Sequence, residues 1–170
     1  MKAEQQINSF FAKQKQFFDH QAPGIISKTA VEYYKESFRK KGFDGKPWPA
    51  LSKGYKPKRG SLMVRSSKLL NSIRDTMTTA ERVVISAGNS KVPYAKIHNE
   101  GGVINRASRS ELFIRNRNKS NNRFRKGTKA GKGSTFKSFT TRMPQRQFMG
   151  YSFELNKRII KRIKAAYKSA

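Results

Sequence analysis

Apolar and polar positions alternate with a helical period at the start of the chain. Ile7, Phe10, Phe11, Phe17 and Phe18 recur at that spacing, with Lys13, Gln14 and Lys15 between them, and predict an amphipathic helix over residues 3–20. Pro23-Gly24 is expected to interrupt it. Ile26, Ala30, Tyr33, Tyr34 and Phe38 form a second stripe, predicting a helix from about Ser27 to Lys41 with Gly42 as its C-terminal stop. Both stripes read as faces for core packing or helix pairing. Over residues 42–65 the period vanishes. Gly42, Gly45, Pro47, Pro49, Gly54, Pro57 and Gly60 break regular structure, so a loop is expected there. Trp48 and Leu51 sit inside it and should pin it onto the domain. Lys53, Lys56, Lys58 and Arg59 make it basic, either solvated or in contact with phosphate.

Over residues 66–102 the pattern shortens. Ser66 or Ser67 is placed to cap a short helix through Leu69, Leu70 and Ile73. A β-hairpin should follow, with strands Ile73–Thr78 and Arg82–Ala87, the second supported by its β-branched residues. Val92 to Glu100 fits a short helix with Pro93 in its first turn, ended by Gly101-Gly102. Residues 103–150 read as a long basic hairpin projecting from the sheet. Leu112, Phe113 and Ile114 would lie on one arm, Phe136 and Phe139 on the other, and residues 116–133 would form a mobile tip too polar to offset its ordering entropy. A final helix is expected over about Tyr151 to Ser169. Its face would be Phe153, Asn156, Ile160, Ile163 and Tyr167, joined by Ile159. The sum is an α+β fold in a single domain: N-terminal helices over 1–41, the Trp/Pro loop 42–65, a hairpin and short helix over 66–102, the basic arm 103–150, and a C-terminal helix over 151–170 packed on a small antiparallel sheet.

Charge changes the picture. Lys plus Arg number 38 against 10 Asp plus Glu in 170 residues, a formal net charge of +28. A small soluble domain usually carries about 2–8 in magnitude, so this excess calls for a polyanion or for dispersal over an assembly. Residues 103–150 hold 13 of the cations against Glu111 alone, 13 − 1 = +12. Arg106, Arg109, Arg115, Arg117, Lys119, Arg123, Arg125, Lys126, Lys129 and Lys132 are the candidate contacts, with nucleic-acid phosphates or with acidic proteins. Phe124 is the one aromatic among them that would stack a base.

The same inventory excludes much chemistry. Without cysteine there is no disulfide scaffold, thiolate metal site or cysteine nucleophile. His20 and His98 alone cannot form a His-rich metal centre. His98-Asn99-Glu100 invites a nuclease reading, but such a site needs further ligands and a base. A packed, hydrogen-bonded imidazole is the expectation, and no catalytic residue, metal or cofactor is assigned. No run of about 18 apolar residues suggests a membrane span. No signal-peptide core follows Met1, so synthesis in the cytoplasm is expected.

Four segments taken in order carry a resemblance. They are Phe43-x4-Trp48-Pro49-x-Leu51-Ser52 before Tyr55; Leu69-Leu70-x-Ser72-Ile73; Tyr94-Ala95-x-Ile97-His98-Asn99-x-Gly101-Gly102; and Met143-Pro144-x-Arg146-x-Phe148-Met149-Gly150. This order resembles the phage virion morphogenesis family over roughly residues 25–168. The family usually has a glycine before the Leu-Leu segment, where this chain has Ser66-Ser67, and the segment between Gly102 and Met143 is here long and basic. The resemblance implies a virion protein of the tail or neck that completes tails or joins heads to tails. The expected partners are identical subunits in a ring, with a hexamer as the guess, other tail or connector proteins, and genomic DNA; neither a membrane nor a small-molecule substrate is expected. The alternative is a sequence-nonspecific nucleic-acid-binding protein of phage or mobile-element origin. In physical terms Trp48 and Leu51 would anchor their loop to the sheet. Tyr94 and Ile97 would face inward beside His98, and Gly101-Gly102 would permit the turn into the arm. Pro144, Arg146 and Phe148 would set the corner before the last helix.

Overall fold

Gln16 does not end the first helix, and Pro23 does not break the chain. In the computed structural model, which describes residues 2–55, 60–117, 120 and 124–168, helix α1 (Lys2–Gln16) runs through a π-helical turn (Phe17–Gln21) into α2 (Ala22–Lys40). The Ala22 N–H donates to the Phe17 carbonyl, five residues back, which is the π pattern. Pro23 falls in the first turn of α2, where its fixed φ suits a helix. The expected interruption is therefore a change of helical pitch. α2 stops at Lys41, which adopts the left-handed conformation at φ 53°.

The fold is α+β. The described chain divides into two compact units, residues 1–101 with 144–170, and residues 102–143. In the first unit, β1 (Gly42–Phe43) and β2 (Lys46–Pro47) form a miniature hairpin where a loop was expected. Asp44 and Gly45 both have positive φ, 49° and 78°, the signature of the two-residue turn that suits the right-handed twist of paired strands. Next come α3 (Lys68–Asn71), the antiparallel pair β3 (Arg74–Thr78) and β4 (Val83–Ser86), and α4 (Ala95–Glu100). Ser67 precedes α3 with its side chain uncapped; its carbonyl instead accepts the Asn71 N–H at 2.8 Å. The unit closes with α5 (Phe153–Lys168).

Two clusters form the core of this unit. Phe38, Trp48, Leu69, Ile73, Val92, Ala95 and Phe148 make the larger, and Ala30, Tyr33, Phe43 and Leu155 the smaller. The face α5 buries differs from the expected one. Leu155 is buried and Ile159 packs beside it, while Phe153 and Ile160 are exposed. The Ser152 hydroxyl, 3.2 Å from the Leu155 N–H, fixes the start of the helix. That start turns Leu155 inward and leaves Phe153 outside, where the Lys157 ammonium lies 4.5 Å from its ring centre. Glu36 with Arg158 and Glu32 with Arg162, both at 2.6 Å, tie α2 to α5. Being partly exposed, each pair contributes at most about 1 kcal/mol.

The second unit contains two antiparallel ladders. β5 (Gly102–Arg106) pairs with β8 (Phe139–Met143), and β6 (Arg109–Arg117) with β7 (Phe124–Phe136). Phe136 and Phe139, expected on one arm, therefore belong to different ladders. The β6–β7 backbone pairing runs as far as Arg117 opposite Phe124 and covers much of the span expected to be a mobile tip. Backbone hydrogen bonds are open to any residue type except proline as donor, so a polar sequence can pair in this way. Register shifts beside Phe113 and Arg117 interrupt the ladder, as extra residues in a bulge do.

Candidate functional site

The four segments singled out in the sequence meet in the first unit, around the place where the chain leaves at Gly101 and returns at Pro144. After the Asp44-Gly45 turn the chain doubles back, and the Trp48 N–H reaches the Lys41 carbonyl at 2.8 Å. The buried indole stands edge-on to Phe38 at 5.3 Å between centroids, and its Nε1–H donates to the Gln147 carbonyl at 2.6 Å. Phe148, 1% exposed, packs on the same Phe38 at 5.2 Å. Trp48 is thus anchored to α2 and to the returning chain, and the expected anchorage to a sheet is replaced by these contacts. Leu51 is half-buried and Pro144 exposed.

α4 supplies the other half. The His98 carbonyl accepts the Arg146 N–H at 2.8 Å. Asn99 Oδ1 accepts two successive backbone donors, Phe148 N–H at 2.9 Å and Met149 N–H at 3.0 Å. The Arg146 guanidinium, on a residue 5% exposed, donates from Nε to the Pro49 carbonyl and from Nη2 to the Ala50 carbonyl, each at 2.9 Å. Burial alone pulls its pKa down, and among the described residues no carboxylate is paired with it. Two carbonyl dipoles replace water around the charge, a use suited to the planar fork of arginine. Gly101 sits at φ 74°, and a Cβ there would lie 2.9 Å from the Gln145 nitrogen. Only glycine lets the two crossing strands of chain approach this closely.

The imidazole of His98 differs from the expected hydrogen-bonded one. Its Nδ1 is buried without a partner, and its ring meets Tyr94 edge-on at 5.7 Å. Burial first, then the Arg146 charge, lowers its pKa, so the ring is neutral at pH 7. Tyr94, expected to face inward with Ile97, is 37% exposed; Ala95 takes the buried position. The Ala95 methyl fits there because Gly88 opposes it, where an added Cβ would come within 2.9 Å. Among the described residues no cluster of three or more His, Asp or Glu side chains is placed to hold a metal. The side chains of Trp48, Asn99 and Arg146 are committed to backbone partners, which is the chemistry of a clamp.

A second polar knot locks α5 to the Asp44-Gly45 turn. Ser152 Oγ donates to Asp44 Oδ1 at 2.5 Å and lies 2.7 Å from the Tyr33 hydroxyl. Asn99, Asp44 and Ser152 had no assigned role in the sequence reading. The Asp-Gly pair between short extended segments was the one available signal for the turn; Asn99 stood inside a quoted motif without a chemical reason for being there.

Of the candidate basic contacts, Arg106 is exposed on β5, with its guanidinium 5.6 Å from the Phe139 ring centre. Arg109, Arg115 and Arg117 occupy β6, and Arg125, Lys126, Lys129 and Lys132 occupy β7. Arg115 stands opposite Thr128, and Lys129 opposite Ile114. Lys119 and Arg123 lie outside the described residues, as do Lys56, Lys58 and Arg59 of the Trp/Pro loop. Arg146, counted with the basic stretch in the sequence, is a clamp residue of the first unit. The second unit keeps 12 Lys and Arg against Glu111, 12 − 1 = +11.

The sequence pattern of the phage virion morphogenesis family matches residues 24–168, spanning the whole clamp and both ladders of the second unit. The chain belongs to this family. No curated protein and no solved structure matches the chain. Membership gives this virion morphogenesis protein a part in building phage particles. No helix among its described residues is long and apolar enough to cross a membrane. The matched span begins inside α2, so α1 and the π turn precede the part shared with the family.

Proposed function

We propose that the protein is a structural, non-catalytic subunit of the phage tail or neck that completes tails or joins heads to tails. The observation that supports this most directly is the clamp. Residues from three separated stretches fix the two points at which the chain passes into and out of the +11 unit. Such a construction carries load between a folded body and a contact segment. In this reading the body forms a closed ring with identical subunits, because head-to-tail interfaces close when the rotation allows. The basic residues of the second unit engage acidic surfaces on adjoining tail or connector proteins, and these offset the repulsion that many +28 subunits would otherwise impose.

The test is genetic complementation. Neutralising Arg125, Lys126, Lys129 and Lys132 of β7 to glutamine keeps the length of the segment and the backbone groups that pair. Phages supplied only with this variant should accumulate unjoined heads and tails in electron micrographs. Normal numbers of joined, infectious particles would refute the assigned role. Joined particles that leak or retain DNA abnormally would show that the cations face the genome instead.

A further inference from the structure

α1 carries an apolar stripe that its own subunit leaves in solvent. Ile7, Phe10 and Phe11 are 54%, 53% and 60% exposed, and Phe18 continues the stripe into the π turn. The root of the helix is fixed. Phe17 is buried, and its ring meets Tyr167 of α5 at 5.3 Å. Among the described elements, only the π turn that continues α1 packs extensively against it. A helix of 15 residues is marginal in water when unsupported, and Asn8, Ser9, Phe10 and Phe11 are not strong helix formers. Covering the stripe would both bury its aromatics and stabilise the helix.

The charges beside the stripe identify what covers it. Residues 2–21 carry Lys2, Lys13 and Lys15 against Glu4 and Asp19, 3 − 2 = +1, which leaves 28 − 1 = +27 on the remainder. The segment is thus near-neutral on a strongly cationic chain, and nothing about it favours an acidic partner. Glu4 and Lys15 are eleven positions apart, about three helical turns, so they lie on the same edge of the stripe. In an antiparallel helix pair, residues on the same edge face each other across the seam. Glu4 of one copy then meets Lys15 of the other, and two-fold symmetry repeats the contact. That register also places about 22 Å of helix between the two Phe17 roots. The separation exceeds the screening length of about 8 Å at physiological salt, so the two +27 bodies scarcely repel. A parallel pair would bring the bodies together.

We propose that α1 is a self-pairing helix: two copies of the chain associate antiparallel through Ile7, Phe10 and Phe11, with Glu4 of each opposite Lys15 of the other. The inference stands on α1 and concerns the free chain, whose two-fold pair would give way to head-to-tail contacts in the ring; it is independent of the role proposed for the second unit.

The chain has no cysteine, so any introduced thiol is unique. Full-length Glu4→Cys and Lys15→Cys chains, mixed and treated with a short bis-maleimide, should cross-link to each other far faster than either links to itself. Phe10→Asp should weaken self-association by about a hundredfold or more in sedimentation equilibrium, the scale expected for removing two buried aromatics from one interface. Its urea midpoint, read at a chain concentration below the dissociation constant of the wild-type pair, should stay at the wild-type value, because Phe10 is exposed in the subunit. Three results would overturn the proposal: a wild-type chain still monomeric at about 100 μM, self-linking of Glu4→Cys as fast as the mixture, or a monomer whose binding to neutral phospholipid vesicles is abolished by Phe10→Asp, which would assign the stripe to a lipid surface.

Discussion

Removing the Asn99 amide oxygen should open the clamp at its centre. This oxygen accepts the Phe148 and Met149 N–H groups together, at 2.9 and 3.0 Å, immediately beside a phenylalanine that is 1% exposed. Neither donor has an alternative acceptor within a helix or strand, because residues 144–150 form an irregular segment. In Asn99→Ala both donors lose their partner. An unpaired, partly buried donor costs about 1–3 kcal/mol, so the pair should cost about 2–5 kcal/mol if water cannot enter fully. Asn99→Asp keeps an oxygen in place and strengthens it as an acceptor, so it should stay within about 1 kcal/mol of wild type. Asn99→Leu keeps the volume without the acceptor and should behave like Asn99→Ala. Urea unfolding gives the three free energies, and amide exchange at residues 148 and 149 reports the local effect. If all three variants lose the same stability, bulk packing matters at this position and the hydrogen-bonding account is wrong. If Asn99→Ala is neutral, the clamp does not depend on Asn99 at all.

Trp48→Ala should destabilise by about 3–5 kcal/mol, and Trp48→Phe by less, since it retains the contact with Phe38 and loses only the bond to the Gln147 carbonyl; urea midpoints would give the order. Leu155→Ala should cost about 2–5 kcal/mol and Phe153→Ala under about 1 kcal/mol, which tests by thermal unfolding the face that α5 buries. His98 has a folded pKa below its usual 6.5, so the unfolded chain takes up a proton that the native state resists. Stability should therefore fall as pH drops below about 6.5, and His98→Gln should flatten this part of the profile. The Glu36 carboxylate, held below its usual 4.5 chiefly by the Arg158 hydrogen bond, should contribute stability that is lost only at still lower pH. Gly101→Ala should impair folding, because it adds a Cβ against the Gln145 backbone at a left-handed φ; reduced soluble yield together with a lowered midpoint would show it.

The parts of the fold legible in the sequence were those governed by a local period. The stripes of the N-terminal helices, the β-branched run of β4 and the glycine that ends α4 all act on neighbouring residues. What stayed hidden depended on distant partners. The π turn carries Phe17 onto Tyr167, 150 positions away, a contact that no local pattern announces. The buried face of α5 follows from Ser152 meeting Asp44 and Tyr33, so the amphipathic pattern alone pointed to Phe153 and Ile160. Arg146 was legible as a corner residue, but the partners of its guanidinium were not, because carbonyl acceptors at positions 49 and 50 leave no trace in side-chain identity. The motifs themselves were visible as an ordered set, and their convergence on one clamp supplies the physical reason for that order.

The central claim is that this virion morphogenesis protein acts as a tail-end or neck component. Electron cryo-microscopy of purified virions tests it most directly. The account predicts density for the subunit as a closed ring at the tail terminus or head–tail joint, with residues 102–143 against acidic surfaces of adjoining proteins. Its absence from purified particles, or its distribution through the packaged genome, would contradict the account.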